Sequence, residues 1–290
     1  NWITMWCVNS PIIVHIFALL KLHIMKKLIA IVLIAFLASC SKYDKNYHHA
    51  KIETEYGNIV VKLYNSTPNH TNNFVKLVNE KFFDGIIFHR VIKDFVVQGG
   101  DPDTKNTEAG KLYGESDAGY LVDAEFVDTI IHKRGTIAMA REGDDVNPEK
   151  KSSSSQFYIV VGKIFTNEQL DSLEIKQFSK KVSKFESKIY AELIKQMGDT
   201  LNNAKLKKKI GEIVTTKVDS FKVATPIAKF NELQRKTYTT VGGIPHLDGN
   251  YTIFGEVIEG YEIVEKISLE ATDENDRPLK DIKMKISLIN

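Results

Sequence analysis

Cysteine is scarce in this chain, which has two, Cys7 and Cys40, among 290 residues. Two cysteines cannot build a disulfide framework, and neither lies in a CxxC pair or at the spacing of a zinc site. An excess of one charge is also missing, because 39 basic residues oppose 37 acidic ones and leave a formal net charge of +2. A nucleic-acid-binding domain usually carries an excess of basic residues, and this balanced composition does not indicate one. We therefore predict no metal, no cofactor and no nucleic-acid partner.

A long uninterrupted hydrophobic run is missing from residues 1–24, although the stretch is apolar. A membrane-spanning helix needs about 20 predominantly apolar residues with few charges. Four residues interrupt this one: Pro11, His15, Lys21 and His23. Because the chain also begins with Asn1 rather than methionine, we expect residues 1–24 to be an upstream over-extension of the gene.

Residues 25–39 have the pattern of a secretory signal peptide. Two lysines follow Met25, the apolar segment LIAIVLIAFLAS comes next, and Cys40 follows at once. The end, LASC, resembles a bacterial lipobox, in which the cysteine is diacylated and becomes the mature N-terminus. Stable anchoring needs more than one acyl chain, since each buried CH₂ contributes about 0.8 kcal/mol. We predict lipidation of Cys40 and a tether over 40–49; a plain signal peptide with an incidental cysteine is the alternative.

Short strands and two helices are predicted after the tether. Alternating apolar residues around Tyr56 and Gly57 predict a hairpin over 51–64. Pro68 suits the first helical position, and the apolar spacing that follows predicts a helix through Asn79. Further strands are expected at FHRVIKDFVVQ, TIAMA, QFYIVV, YTIFGEV and IKMKISLIN, with a helix at GYEIVEKISLEA. This composition, mainly β with some α, indicates a closed β-barrel capped by helices.

A different pattern fills residues 164–236. Apolar residues recur every three to five positions in two stripes: Leu170, Leu173, Phe178, Val182, Phe185, Ile189, Leu193, Met197, then Leu206, Ile210, Ile213, Val214 and Phe221. From 167 to 234 there are 13 lysines against 9 acidic residues. We predict a basic helical insertion over 164–236, within a barrel that comprises 50–163 and 237–290. It is either a hairpin that packs only on itself or an arm beside the active cleft.

Polar residues are embedded in apolar sequence at FHRVIKDFVVQGGDP, residues 88–102. An arginine in such a strand is costly unless its five donors find partners. Arg90 is therefore either an edge residue paired with a carboxylate or a functional group. His89 suggests a general base, but no serine or cysteine nucleophile motif accompanies it. We interpret His89 as a structural histidine with satisfied hydrogen bonds.

The stretch FDGIIFHRVIKDFVVQGGDP resembles the signature of the cyclophilin family of peptidyl-prolyl isomerases. Three further stretches, GTIAMAR, SSQFYIVVG and HLDGNYTIFGEVIEG, are similar to the family and follow in its order. The resemblance covers about 49–163 and 237–290. It implies an eight-stranded antiparallel barrel and a peptidyl-prolyl cis-trans isomerase. Its partners would be proline-containing unfolded or exported polypeptides, and we expect a monomer in the bacterial cell envelope, lipid-anchored on the periplasmic side or at the cell surface.

The resemblance also implies the site. Arg90 matches the catalytic arginine, Gln98 the glutamine that orients it, and Phe95 a wall for the proline ring. The expected substrate-binding residues are Val96, Ala140, Gln156, Tyr158, His246, Leu247 and Tyr251. Several depart from the common pattern, which has methionine at Val96 and phenylalanine at Tyr158. His246 and Tyr251 replace a tryptophan and a histidine of many eukaryotic members, which puts cyclosporin sensitivity in doubt but not activity.

The implied chemistry needs no covalent step. An X-Pro amide isomerises slowly because its C–N bond has partial double-bond character, with a barrier of about 20 kcal/mol. The enzyme need only bind the twisted amide more tightly than either planar form. A fixed cation that donates towards the proline nitrogen or its carbonyl favours the twisted amide, and we predict this role for Arg90. The alternative is a non-catalytic peptide-binding chaperone module.

Overall fold

The computed structural model describes residues 42–108, 110–197 and 204–289. Cys40, the predicted signal peptide and residues 1–24 lie outside the described residues. Contacts divide the chain into two units, and the larger one, Asn46–Ile289, contains every element below. Within the described ranges, no helix combines the length and the apolar composition that crossing a membrane requires.

The described residues form ten strands and five α-helices. The strands are β1 His49–Thr54, β2 Gly57–Leu63, β3 Phe88–Ile92, β4 Val96–Gly99, β5 Leu121–Val122, β6 Thr136–Met139, β7 Ser152–Ser153, β8 Phe157–Val160, β9 Ile253–Glu259 and β10 Lys285–Ile289. The helices are α1 Pro68–Asn79, α2 Asn167–Met197, α3 Ala204–Ala224, α4 Glu232–Thr240 and α5 Tyr261–Ser268. Short 3₁₀ turns lie at Pro102–Lys105 and Pro245–Leu247. The predicted bounds of α1 are confirmed.

Eight strands form one antiparallel sheet in the order β10-β1-β2-β9-β6-β8-β4-β3. The sheet is open between its edge strands β10 and β3, so the predicted closed barrel is not confirmed. Backbone hydrogen bonds join residues 85–88 to 282–284 just before those two strands. Further along, the amide of Val91 in β3 donates instead to the carbonyl of Asp276, a loop residue that takes the place of β10.

The main core lies on the inner face of the curled sheet, where α1 and α5 cover it. Phe74 of α1 is fully buried, and its ring centroid lies 5.2 Å from those of Phe83 and Phe254 and 5.7 Å from that of Phe157. Aromatic pairs at such separations add about 0.5–1.5 kcal/mol to the effect of area burial. The apolar residues of α1 recur at helical spacing because they face this core, and that spacing could be recognised in the sequence.

The predicted helices of the insertion are present. Helices α2 and α3 pack around a small core of their own that includes Ile189, Ile210 and Val214. The first turn of α2 builds another cluster with the sheet domain, in which Leu170 packs against Tyr238 and Ile131. Tyr238 belongs to α4, which crosses the predicted boundary between residues 236 and 237. That boundary stays a prediction.

Candidate active site

Strand register brings the central side chains of the site to one face of the sheet. Arg90 of β3 lies opposite Gln98 of β4, and Gln98 lies opposite Tyr158 of β8. Side chains directly opposite each other in an antiparallel pair point to the same face. The turn between β3 and β4 contains Asp94 with φ +57°, a conformation that aspartate tolerates better than most residues. Residues remote in sequence thus meet because of backbone pairing.

The two faces of β4 and β8 serve different purposes. Val97 and Ile159 point into the main core, whereas Val96, Tyr158 and Val160 belong to a separate apolar cluster on the opposite face. Successive strand residues alternate between faces, and a strand that is apolar on both is covered on both. The second cluster forms the floor of the candidate site.

A hydrogen-bonded series of side chains fixes Arg90. Its Nη1 donates to Oε1 of Gln98 at 3.2 Å, and Nε2 of Gln98 donates to Oε1 of Gln156 at 3.2 Å. Nε2 of Gln156 in turn donates to the carbonyl oxygens of Gly114 and Ser116, at 2.8 and 2.9 Å. The two carbonyl acceptors set the orientation of both amides, so that the Gln98 oxygen faces the guanidinium group.

Both interpretations of Arg90 find a counterpart in the structure. Its Nε lies 3.9 Å from Oδ2 of Asp276, and the two side chains are 41% and 46% exposed. Ion pairs this open to solvent contribute little, about 0–1 kcal/mol. The guanidinium carbon also lies 5.9 Å from the centre of the Phe95 ring, at the mouth of a pocket. Arg90 is therefore loosely paired at the sheet edge and free to face a bound ligand.

The pocket has a volume of about 250 Å³. Its lining residues are Arg90, Phe95, Val96, Gln98, Tyr113, Gly114, Ala140, Arg141, Tyr158, Leu247 and Tyr251. Eight of the ten predicted active-site and substrate-binding residues are thus brought together. Gln156 lies behind them in the hydrogen-bonded series, and His246 stacks on Phe95 with ring planes 3° apart and centroids separated by 6.1 Å. Cys40, the predicted lipidation site, lies outside the described residues.

Arg141 closes one side of the pocket. Its side chain is 5% exposed, and its Nε donates to the carbonyl of Asn250 at 2.6 Å. Its Nη2 donates to Oδ1 of Asp144 at 2.9 Å, and the guanidinium carbon lies 4.7 Å from the centre of the Tyr251 ring. The arginine thus holds Tyr251 and the loop after β6 together.

A buried hydrogen-bonded series, absent from the sequence predictions, lies behind Tyr158. Oδ1 of Asp248 accepts from the backbone N–H of His132 at 2.8 Å and lies 3.0 Å from Nδ1 of the same histidine. A carboxylate only accepts, so Nδ1 carries a proton, and in the neutral imidazole Nε2 then accepts from the Tyr158 hydroxyl, 3.0 Å away. Burial raises the pKa of Tyr158 well above its usual value and keeps the hydroxyl protonated.

The other oxygen of Asp248 connects this series to α4. Oδ2 accepts from the hydroxyl of Tyr238 at 2.7 Å and from Nε2 of Gln234 at 3.0 Å. A capping box formed by Asn231 and Gln234 begins α4 and places both donors on its surface. In the sequence, the Asp-Gly pair at 248–249 indicated a turn. Nothing in that pair indicated that the Asp248 carboxylate would also accept hydrogen bonds from distant residues.

His89 precedes Arg90 in β3 and is buried. Its Nδ1 has no hydrogen-bond partner among the described residues, so the interpretation as a fully satisfied histidine is not confirmed. Burial lowers the pKa of His89 to about 4, although the charge of Asp101 opposes the shift. The ring is therefore neutral near pH 7, and its buried position agrees with a structural role.

The glycines at 99 and 100 allow the pocket strand to pass close to its neighbour. Gly100 has φ +104°, and a Cβ atom there would overlap the backbone carbonyl of Ser155. The Gly100 carbonyl instead accepts from the Ser155 hydroxyl at 2.8 Å. Within the part of the chain that the structure describes, no group of three or more His, Cys, Asp or Glu side chains is placed to bind a metal ion.

Comparison with known protein families agrees with this geometry. The family described as "Cyclophilin type peptidyl-prolyl cis-trans isomerase/CLD" matches residues 49–218 and 228–287. The chain belongs to the cyclophilin family. The resemblance seen in the sequence is confirmed at this level, and the matched residues include every predicted site residue except Cys40.

Relatives of this cyclophilin differ widely in length. A candidate bifunctional phosphatase/peptidyl-prolyl cis-trans isomerase of Streptococcus pyogenes is 28% identical over 235 residues, which is 80% of this chain and 36% of that protein. The peptidyl-prolyl cis-trans isomerase ppi1 of Schizosaccharomyces pombe is 25% identical over 238 residues, which is 81% of this chain and 95% of that protein. The chain therefore spans about a third of the first relative and nearly all of the second.

Solved structures include similar chains. The crystal structure of a cyclophilin type peptidyl-prolyl cis-trans isomerase of Cryptosporidium parvum is 22% identical, with a TM-score of 0.49. The similarity covers 84% of this cyclophilin and 98% of that chain.

Proposed function

We propose that this cyclophilin catalyses the cis-trans isomerisation of X-Pro bonds in unfolded polypeptides. The observation that carries the proposal is the placement of Arg90, which Gln98 holds at the mouth of an apolar pocket lined by Phe95, Val96 and Leu247. Such a pocket fits a proline ring, and a guanidinium at its mouth can reach the amide of that proline. Membership of the isomerase family supports the assignment.

The reaction follows from these positions. The proline ring enters the apolar pocket, and the Gln98–Gln156 pair faces the substrate backbone. As the amide twists, conjugation is lost and the proline nitrogen regains its lone pair. Nη2 of Arg90 makes no hydrogen bond to any described residue and is available to donate towards that nitrogen or the neighbouring carbonyl. A preorganised donor stabilises the twisted amide without reorganising in the transition state.

An exchange experiment tests this function. Cis-trans exchange of an Ala-Ala-Pro-Phe peptide is measured by NMR with and without the purified protein. We expect exchange far faster than the spontaneous isomerisation, which takes about 10–100 s. Peptide binding without acceleration would favour the non-catalytic chaperone module instead.

We further propose that the protein is a lipid-anchored monomer of the bacterial cell envelope that acts on exported polypeptides. The charged and then apolar leader that closes on Leu37, Ala38, Ser39 and Cys40 supports this proposal. Replacing Cys40 by serine should remove the acylation site and release the protein into the soluble fraction. A Cys40→Ser protein that still fractionates with membranes as firmly as the wild type would contradict the anchor, and light scattering of the released protein tests the monomer.

A further inference from the structure

Helix α2 of the insertion lies beside the candidate pocket because it is attached to the pocket's surroundings at two places. Near its start, Leu170 packs against Tyr238, whose hydroxyl donates to Asp248 next to Leu247. Near its middle, Nζ of Lys184 lies 3.1 Å from Oδ2 of Asp144, the residue that also accepts from pocket-lining Arg141. The stretch of α2 between these attachments therefore passes along the rim of the pocket.

Three lysines form a row on this stretch. Lys176, Lys180 and Lys184 are spaced by four residues, which places their side chains on one side of a helix. With a rise of 1.5 Å per residue, the row is about 12 Å long. Because Lys184 contacts the pocket loop through Asp144, the same side of α2 carries the other two lysines along the rim.

Lys176 and Lys180 are exposed, and neither forms an ion pair with a carboxylate of the described residues. The two acidic residues that precede Lys176 most closely in α2 are already paired, since Glu174 contacts Lys229 and Arg235, and Asp171 contacts Arg235. The rim therefore carries two positive charges that the described part of the chain does not neutralise.

The electrostatics of His246 support this placement. Burial lowers the pKa of His246, and the positive charges of Lys180 and Lys176 lower it further. His246 stacks on Phe95, so the field of the two lysines reaches the residues that would contact a peptide.

We propose that Lys176 and Lys180 form a basic rim that selects proline-containing substrates with an acidic side chain within a few residues of the proline. The proposal rests on the proposed isomerase function and adds a substrate preference to it. An extended peptide whose proline occupies the pocket must continue past the rim. An acidic side chain there would meet two unpaired ammonium groups, and long-range attraction would also speed its association.

The test compares peptides that differ in one residue. Three X-Pro peptides carry glutamine on both sides of the proline, glutamate two residues before it, or glutamate two residues after it. We expect wild-type kcat/KM to be about two- to tenfold higher for at least one acidic peptide, the range for one or two exposed ion pairs. The preference should shrink in about 0.5 M salt, because the Debye length then falls to a few ångströms.

Matched variants locate the preference. Lys176→Gln with Lys180→Gln should bring the ratio of acidic to neutral kcat/KM to about one. Lys207→Gln with Lys208→Gln on α3 changes the net charge equally and should leave the ratio as in the wild type. No preference in the wild type, or a preference that survives the α2 double replacement, would overturn the proposal. An equal loss in the α3 control would also overturn it in favour of a general charge effect.

Binding separates this proposal from the isomerase function. If no peptide is isomerised, fluorescence anisotropy of the labelled acidic and neutral peptides still reports the rim. Tighter binding of the acidic peptide, lost in the α2 double variant, would support the rim although the isomerase proposal had failed. Equal binding of both peptides would overturn it. So would an α2 double variant that loses binding to phosphatidylglycerol vesicles but binds the peptides as the wild type does, because the lysines would then belong to a membrane surface.

Discussion

The pocket and the helical insertion are built by different kinds of contact. Residues such as Arg90, Gln98 and Tyr158 take their places from the hydrogen-bond register of β3, β4 and β8. The insertion has its own core between α2 and α3 and reaches the surroundings of the pocket through side chains, notably Leu170 to Tyr238 and Lys184 to Asp144. Changes in the sheet should therefore affect chemistry directly, whereas changes in the insertion should affect it only through these contacts.

The largest effect is expected in the pocket itself. Arg90→Ala should lower kcat/KM on an X-Pro peptide about 100- to 1000-fold, the scale of losing one preorganised electrostatic donor. The fold should persist, because the side chain is 41% exposed and only loosely paired. Exchange spectroscopy measures activity, and circular dichroism controls for folding.

Arg90→Lys sharpens the same test. An ammonium group lacks the planar fork of the guanidinium, so this variant should also be poor. Near-wild-type activity in Arg90→Ala would show that the arginine is an edge residue and that catalysis lies elsewhere.

Two deletions distinguish the outer part of the α2–α3 hairpin, 178–226, from the first turns of α2, which contact the sheet domain. Phe230 donates its backbone N–H to Oε1 of Glu174 at 2.8 Å, so the two ends of the hairpin lie side by side. A short Gly/Ser linker in place of 178–226 should leave activity on a neutral tetrapeptide within a few-fold of wild type, since loop closure depends weakly on length. Replacing 167–234 also removes Leu170, which should cost about 2–5 kcal/mol of stability, as large-to-small core changes do.

Urea unfolding and tetrapeptide turnover measure the two deletions. Equal stability of both proteins would contradict the role of Leu170 in covering Tyr238. Loss of folding in the shorter deletion would show that α2 and α3 complete the core of the sheet domain.

Acid should weaken the two regions in different pH ranges. The folded-state pKa of His89, about 4, is below its ordinary value of 6.5. The unfolded chain therefore binds more protons between these values, and stability falls as pH is lowered from 6.5 towards 4, by up to about 3 kcal/mol. Glu174 of the insertion is held below its usual pKa of 4.5 by Lys229, the Phe230 amide and Arg235, against the cost of burial. Its contribution is lost only at lower pH.

Urea unfolding across pH tests the His89 assignment. His89→Gln should flatten the dependence between pH 6.5 and 4, whereas His48→Gln at an exposed position should leave it unchanged. An unaltered slope in His89→Gln would show that another group is responsible.

The smallest effect should come from the buried series behind the pocket. Tyr158→Phe removes the donor to His132 and leaves Nε2 unpaired, at a cost of about 1–3 kcal/mol in stability. Activity should change by no more than a few-fold, because the ring still forms the pocket wall. Tyr251→Phe is the matched control, since its hydroxyl makes no hydrogen bond to a described residue. Equal melting temperatures for the two variants would argue against the Tyr158–His132 hydrogen bond.

Local patterns explain what the sequence could predict. Arg90, Phe95 and Gln98 lie within nine residues of one another, and Pro68 marked the first residue of its helix. The bond between His132 and Asp248 joins positions 116 residues apart, and neither residue belongs to a local pattern that implies the other. The open edge of the sheet was equally hidden, because a loop carbonyl at Asp276 pairs with β3 where another strand was expected.

The strand order has a consequence for how the chain assembles. The first strand lies between β2 and β10, with Ala50 opposite both Val61 and Leu288, while β9 fits between β2 and β6. During synthesis, therefore, β1 to β8 emerge before two of the strands that complete their sheet. The core between α2 and α3 joins residues that are close in sequence and can form early, whereas pairing between such distant strands is slow. A chain that lacks 285–289 should leave the backbone groups of β1 unpaired along that side, so these few residues protect one edge of the sheet from pairing with another chain.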